Sequence, residues 1–206
     1  AHGAAWMSIV PVEIESQEIG IAAASGHTVV LGLGMGWCAA NVALRPEVER
    51  VTVVERDPEV VSLVEALGVF EQLPDGARGK IEVVQGDALH WRPDEPVDSL
   101  QADIWAKLVE PQKWDEVRRM QDNIEAASLY FWGLELELWR LACRAEGRVP
   151  DGFGGEDGAD GDAALDALAR ETGLPLVLDP RPGRGARTAE AARWWTPAEE
   201  GWWDAA

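Results

Sequence analysis

Hydrophobic residues in this chain come in short unbroken runs, separated by longer stretches in which they recur every three or four positions. Thr28–Leu33 (TVVLGL), Val51–Glu55 (VTVVE) and Lys80–Gln85 (KIEVVQ) are runs of the first kind. Each predicts a strand buried on both faces, since a strand with one wet face alternates apolar and polar residues. Ser99–Trp105 (SLQADIW) and Ala126–Trp132 (AASLYFW) predict a fourth and a fifth strand, the fourth less apolar than the rest. Helices are predicted over Pro11–Ala24, Trp37–Leu44, Pro58–Leu67, Lys113–Glu125 and within Gly133–Gly147. Their ends carry stop signals: Ser25–Gly26 after the first and Arg45–Pro46 after the second, where the residue before proline leaves the helical region. Asp57 is a candidate N-cap for the third, with Pro58 at the first helical position and Gly68 just past the end. Leu73–Gly79 reads as a polar turn and His90–Asp98 as an irregular connection.

Strand and helix alternating at this spacing predict an α/β fold, a mostly parallel sheet with helices on both faces. Right-handed crossovers make it doubly wound. At Val149 the composition shifts. PDGFGGEDGADGD reads as a flexible Gly- and Asp-rich linker, Ala163–Thr172 as a short helix, Leu174–Asp179 (LPLVLD) as one further strand and PRPGRGAR as a loop. Two regions are therefore expected, 1–148 and 149–206, the second ending in the Trp pairs Trp194–Trp195 and Trp202–Trp203. After the fifth strand, antiparallel strands that would close the sheet are reduced or absent in this reading, Leu174–Asp179 being the one candidate.

The 206 residues allow one domain with an appendage. A formal net charge of −19 repels phosphate backbones, and no basic stripe offsets it, so nucleic acid is not expected as a partner. No apolar stretch is long enough to span a membrane, and AHGAAWMSIV does not read as a secretory signal. Cys38 and Cys143 are too few and too far apart for a disulfide framework, and cytoplasmic residence is the expectation. His2, His27 and His90 form no metal-like spacing, and no metal site is expected.

The candidate chemistry lies just after the carboxyl ends of the first three strands, where open α/β sheets bind ligands. Gly32, Gly34 and Gly36 in LGLGMGW let the chain turn sharply and let a ligand approach the backbone without meeting a Cβ. Glu55 ends the second strand, 19 residues after Gly36, where a carboxylate can accept hydrogen bonds from both hydroxyls of a ribose. In Gln85–Gly86–Asp87–Ala88, Asp87 can hydrogen-bond an exocyclic amine and Ala88 is small enough to lie against a ring. The bland readings are a tight turn, an exposed strand-end Glu and an Asp helix cap. The common edge and the order of the three elements favour the functional one.

These segments, VVLGLGMGWCAANVAL, VTVVERDPEVVSLVEALG and IEVVQGDALHW, resemble the core of class I S-adenosylmethionine-dependent methyltransferases. The match is to the subgroup shared with spermidine synthases, whose second strand continues as E-x-D-P-E-V-V, as ERDPEVV does here at Glu55–Val61. The resemblance covers about residues 27–146. It implies a Rossmann-like cofactor-binding core in 1–148, S-adenosylmethionine as cofactor, and methyl transfer to a small molecule or a protein. It also implies residue roles: Gly32, Gly34 and Gly36 under the amino-acid part of the cofactor, Glu55 on the ribose, and Asp87 with Ala88 at the adenine. Asp103 lines the reacting end as the catalytic candidate.

Two departures qualify the resemblance. Val30 stands where many methyltransferases carry an acidic residue, a residue that spermidine-synthase-like proteins also lack, which places the chain within that group. Met35 stands where aminopropyl-transferring enzymes have an amine-binding Asp in the glycine loop, which argues against polyamine synthesis. Two other functions remain open. Gly34-x-Gly36-x-x-Ala39 with Glu55 also satisfies a dinucleotide fingerprint, so an NAD-dependent oxidoreductase is one alternative, opposed by the Gly-Asp-Ala element and the missing second half. A non-catalytic interaction protein is the other. Trp105 is a candidate pocket wall and His90 a candidate base, though each has a plainer reading as packing or as an incidental loop residue. The Trp-rich end is expected to pack on the core or on a partner, with a homodimer as one form.

Overall fold

Each apolar run becomes a strand of one all-parallel sheet. In this computed structural model, β1 (Gly26–Leu31), β2 (Val48–Glu55), β3 (Ile81–Gln85), β4 (Ser99–Ala102) and β5 (Ser128–Phe131) lie in the order β3-β2-β1-β4-β5. The structure describes residues 11–108, 110–146 and 159–188. The order reverses between β1 and β4, as in a doubly wound, Rossmann-like sheet. Around it run α1 (Pro11–Ala23), α2 (Trp37–Ala43), α3 (Pro58–Ala66), the 3₁₀ turn η1 (Phe70–Gln72), α4 (Asp75–Arg78) and α5 (Lys113–Ile124).

The uninterrupted valine runs have their physical reason in the pleat, which turns successive residues to opposite faces. Val30, Val51 and Val53 enter one core cluster with Ala39, Val42 and Ala43 of α2 and Val64 of α3. Their alternates Val29, Leu31 and Val54 are equally buried. Both faces are covered, so no position in β1 tolerates a polar residue without a partner. Gln101 of β4 is buried because its Nε2 donates to the Gly20 carbonyl of α1 at 2.9 Å. Asp57 caps α3 through the Glu59 N–H at 2.8 Å, with Pro58 in the first turn, as the sequence predicts.

The chain divides into two compact units, residues 1–106 with 115–132, and 107–114 with 133–206. The first contains the sheet. The second contains α6 (Leu134–Glu146) and α7 (Ala159–Glu171), and a buried Glu137–Arg140 ion pair at 3.0 Å to which the Trp114 indole also donates. In this second unit Asp162 of α7 accepts the Gly183 and Gly185 N–H groups at 2.8 and 2.9 Å.

Several expected boundaries move. Leu73–Gly79 is not only a turn: Pro74 opens the single helical turn α4, which sends Ala77 into the core. The fourth strand stops at Ala102 rather than Trp105, because its pairing with β1 ends with the Asp103 N–H on the Leu31 carbonyl and β1 turns away at Gly32. The fifth strand is limited to Ser128–Phe131 by the length of β4. Leu174–Asp179 does not form a strand; only Leu176 makes a bridge. Pro175 lacks the N–H a ladder needs. The last residues of the expected linker, 159–162, are the first turn of α7. The expected boundary at 148/149 and the four terminal Trp residues lie outside the described residues.

Candidate functional site at the carboxyl edge of the sheet

All five strands run the same way, so their carboxyl ends share one edge. The ladder continues one backbone bond past four strands, from Gly32 N–H to Val54, Gly86 N–H to Glu55, Asp103 N–H to Leu31 and Trp132 N–H to Ala102, each at 2.9 Å. The residues that follow are thereby held in line. Across the edge they run Asp87, Glu55, the glycine loop and Asp103, over three inter-strand spacings, about 14 Å.

The three glycines of the loop have positive φ, 92° at Gly32, 51° at Gly34 and 77° at Gly36, but different surroundings. A Cβ on Gly32 would overlap the Asp103 carbonyl oxygen, so the loop and β4 close on each other at the switch point. A Cβ on Gly36 would press on Val64, Val69 and Phe70. Gly34 alone faces open space, with nothing within 4 Å of an added Cβ. Ligand approach without a Cβ therefore applies to Gly34, while the other two glycines serve chain packing. Met35 is half-exposed beside it.

Glu55 is a fastener as well as an edge carboxylate. One oxygen accepts the Leu33 N–H at 2.9 Å and the other the Asp57 N–H at 2.8 Å. It thus ties the glycine loop to the corner that starts α3. Each oxygen keeps a second lone pair for a further donor.

Asp87 heads a tight turn. Its Oδ1 accepts the Leu89 N–H at 3.0 Å and its Oδ2 meets His90 Nδ1 at 2.9 Å. The hydrogen bonds from His90 and from the Leu89 N–H outweigh burial and hold this carboxyl below the usual range. From α5, Arg119 Nη2 lies 2.7 Å from His90 Nε2, and Asn123 Nδ2 donates to the Leu89 carbonyl at 3.0 Å. Ala88 is buried, and its N–H meets no acceptor among the described residues. A backbone donor with no acceptor among the described residues and a carboxylate acceptor therefore sit side by side on this turn.

Asp103 Oδ2 accepts the Gln17 Nε2 of α1 at 2.7 Å. Burial, and then the Asp103 charge, push the Cys38 thiol at the start of α2 far up. Trp105 is buried, edge-on to Phe131 with ring centroids 6.1 Å apart, and its indole N–H donates to Glu116 at 2.6 Å. The packing reading of Trp105 is the one the geometry favours. A separate cavity of about 250 Å³ lies between α3, η1, α4 and β3, over Val61, Val64, Phe70, Ile81 and Val83, and meets the edge only at Leu33.

No protein-family model and no curated sequence matches this chain. Among solved structures it is similar to a glycopeptide N-methyltransferase bound to S-adenosyl-L-homocysteine, at 17% identity and TM-score 0.44, covering 60% of this chain and 47% of that one. It is also similar to a bacterial methyltransferase domain, at 13% identity and TM-score 0.45, covering 57% and 65%. A third is a precorrin 8W decarboxylase from Methanobacterium thermoautotrophicum, at 19% identity and TM-score 0.41, covering 57% and 58%. The chain spans less than two thirds of each.

The sheet thus gathers Gly32, Gly34, Gly36, Glu55, Asp87, Ala88 and Asp103 on one edge. It also brings in Gln17, Arg119 and Asn123, which sequence reading missed. No local spacing points to them, because their partners lie 86, 29 and 34 residues away.

Proposed function

We propose that this chain binds S-adenosylmethionine along the carboxyl edge of its sheet and transfers the methyl group to a small molecule or a protein. The observation that carries the reading is the order of groups along the edge: donor–acceptor pair, ribose-type carboxylate, glycine loop, second carboxylate. The Ala88 N–H and the Asp87 carboxylate match the acceptor and donor on the Watson–Crick edge of adenine. Glu55 retains lone pairs for ribose hydroxyls. The open space at Gly34 admits a chain passing close to the backbone.

Bound there, the cofactor supplies an electrophilic methyl on sulfonium. The protein contributes alignment. Asp103, oriented by Gln17, accepts a hydrogen bond from the attacking N–H or O–H and takes its proton, which makes it the catalytic residue of this reading. The net charge of −19 favours a neutral or cationic substrate over nucleic acid. The ERDPEVV corner, built by Glu55 and Asp57, supports the spermidine-synthase-like subgroup, and Met35 supports methyl over aminopropyl transfer. Cytoplasmic residence and a homodimer through the Trp-rich end belong to the same proposal; no helix among the described residues is long and apolar enough to cross a membrane.

Titration calorimetry with S-adenosylmethionine, S-adenosylhomocysteine, decarboxylated S-adenosylmethionine and NAD tests it. Micromolar binding of the first two is expected. Preference for NAD would favour an oxidoreductase, and no binding by folded protein would favour an interaction scaffold.

A further inference from the structure

Arginine side chains donate hydrogen bonds and never accept them. Arg119 Nη2 lies 2.7 Å from His90 Nε2, so that ring nitrogen presents its lone pair. The ring proton then belongs on Nδ1, which lies 2.9 Å from Asp87 Oδ2 and donates to it. The other carboxylate oxygen already accepts the Leu89 N–H at 3.0 Å. The polarity of the whole relay is therefore set from Arg119: donor, imidazole, carboxylate. Any group that joins it at Asp87 must itself be a donor.

The relay is anchored at both ends of one helical turn. Arg119 and Asn123 are four residues apart on α5 and share a face. Arg119 holds the His90 ring, while Asn123 holds the Leu89 carbonyl at 3.0 Å. The turn that carries Asp87 and the Ala88 N–H is thus gripped twice by an element that contributes no residue of its own to the strand ends.

We propose that Arg119 and His90 are positioning residues that hold the Asp87 carboxylate in one orientation, so that the site favours purines with an amino group at the 6-position and disfavours those with a carbonyl there. This rests on the reading that Asp87 faces the adenine of the cofactor. A 6-oxo purine would oppose a carbonyl to the carboxylate and its ring N–H to the Ala88 N–H, a mismatch at both contacts. His90 is 62% exposed and Asp87 41%, so solvent screens the relay and the effect of each variant is modest.

The test measures affinities of the full chain for S-adenosylhomocysteine and for S-inosylhomocysteine by calorimetry, with melting temperature recorded for every variant. Wild type is expected to prefer the adenine ligand. H90F, which removes the donor to Asp87, and R119M, which frees the ring proton, are expected to lower that preference about three- to tenfold. H90N returns an N–H near the position of Nδ1–H, and R119K returns a donor to Nε2; both are expected to recover most of the preference. If H90F fails to fold, R119M and R119K carry the comparison. A preference unchanged in H90F and R119M, or an equal loss of affinity for both ligands, would overturn the inference while leaving the cofactor reading intact. Wild type that binds neither ligand would overturn both.

Discussion

The Glu55 carboxylate accepts the Leu33 N–H at 2.9 Å, so the side chain proposed for the ribose also holds the glycine loop. Its other oxygen accepts the Asp57 N–H at 2.8 Å, at the corner that begins α3. Removing this side chain therefore has two effects that differ in size. Glu55→Ala leaves two backbone N–H groups without their acceptor and is expected to cost about 1–3 kcal/mol of stability. Glu55→Gln keeps one acceptor oxygen and loses less. Both variants are expected to bind S-adenosylhomocysteine at least tenfold more weakly, read by calorimetry alongside thermal melts.

The glycine loop gives a second contrast. Gly32→Ala places a Cβ on the Asp103 carbonyl at a φ of 92° and is expected to destabilise the fold by about 2–4 kcal/mol. Gly34→Ala meets nothing, and its φ of 51° costs about 1 kcal/mol. The expected result is a folded G34A protein with impaired cofactor binding and a G32A protein whose first defect is stability. Equal melting temperatures for the two would contradict the difference in their surroundings.

Acid titration separates a structural carboxylate from the edge. Hydrogen bonds from Arg181, and next to them the Arg187 charge, lower the Asp179 carboxyl to about 2. A depressed folded value means that the contribution is fully present above the unfolded value, about 3.9, and is lost as pH falls through the folded one. Arg181 and Arg187 are 67% and 39% exposed, so screening leaves about 1 kcal/mol. Wild type is expected to exceed Asp179→Asn in urea midpoint at pH 6, with the gap closing between pH 4 and 2. A gap that persists at pH 2 would show that the bonds matter without the charge.

Cys38 offers a chemical probe of the region around Asp103. Burial and the Asp103 charge disfavour its thiolate, the reactive form. Native protein at pH 8 is expected to react with a thiol reagent more slowly than protein in urea, the part-exposed Cys38 ahead of the fully buried Cys143. Rapid labelling of one thiol in the native state would place Cys38 in a more open setting than the one described here.

Much of the fold was legible because β1, β2 and β3 are buried on both sides, and a valine run leaves few other options. That Gly32, Gly34, Gly36, Glu55, Asp87 and Asp103 share one edge was legible for a related reason: a parallel sheet puts every strand's carboxyl end on the same side. What sequence could not give was length and partnership. β4 ends at Ala102 because β1 leaves it, a fact about Gly32 rather than about SLQADIW. LPLVLD reads as a strand until Pro175 is asked for an N–H. Gln17, Arg119 and Asn123 act through the site from helices whose sequences carry only surface-like polarity, and only the packed fold brings them there.

A crystal structure of the chain with S-adenosylhomocysteine tests the central claim most directly. The account predicts the adenine within hydrogen-bond distance of Asp87 and the Ala88 N–H, the ribose at Glu55, and the homocysteine over Gly34 toward Asp103. A ligand lying the other way along the edge, or seated in the cavity between α3 and β3, would contradict it.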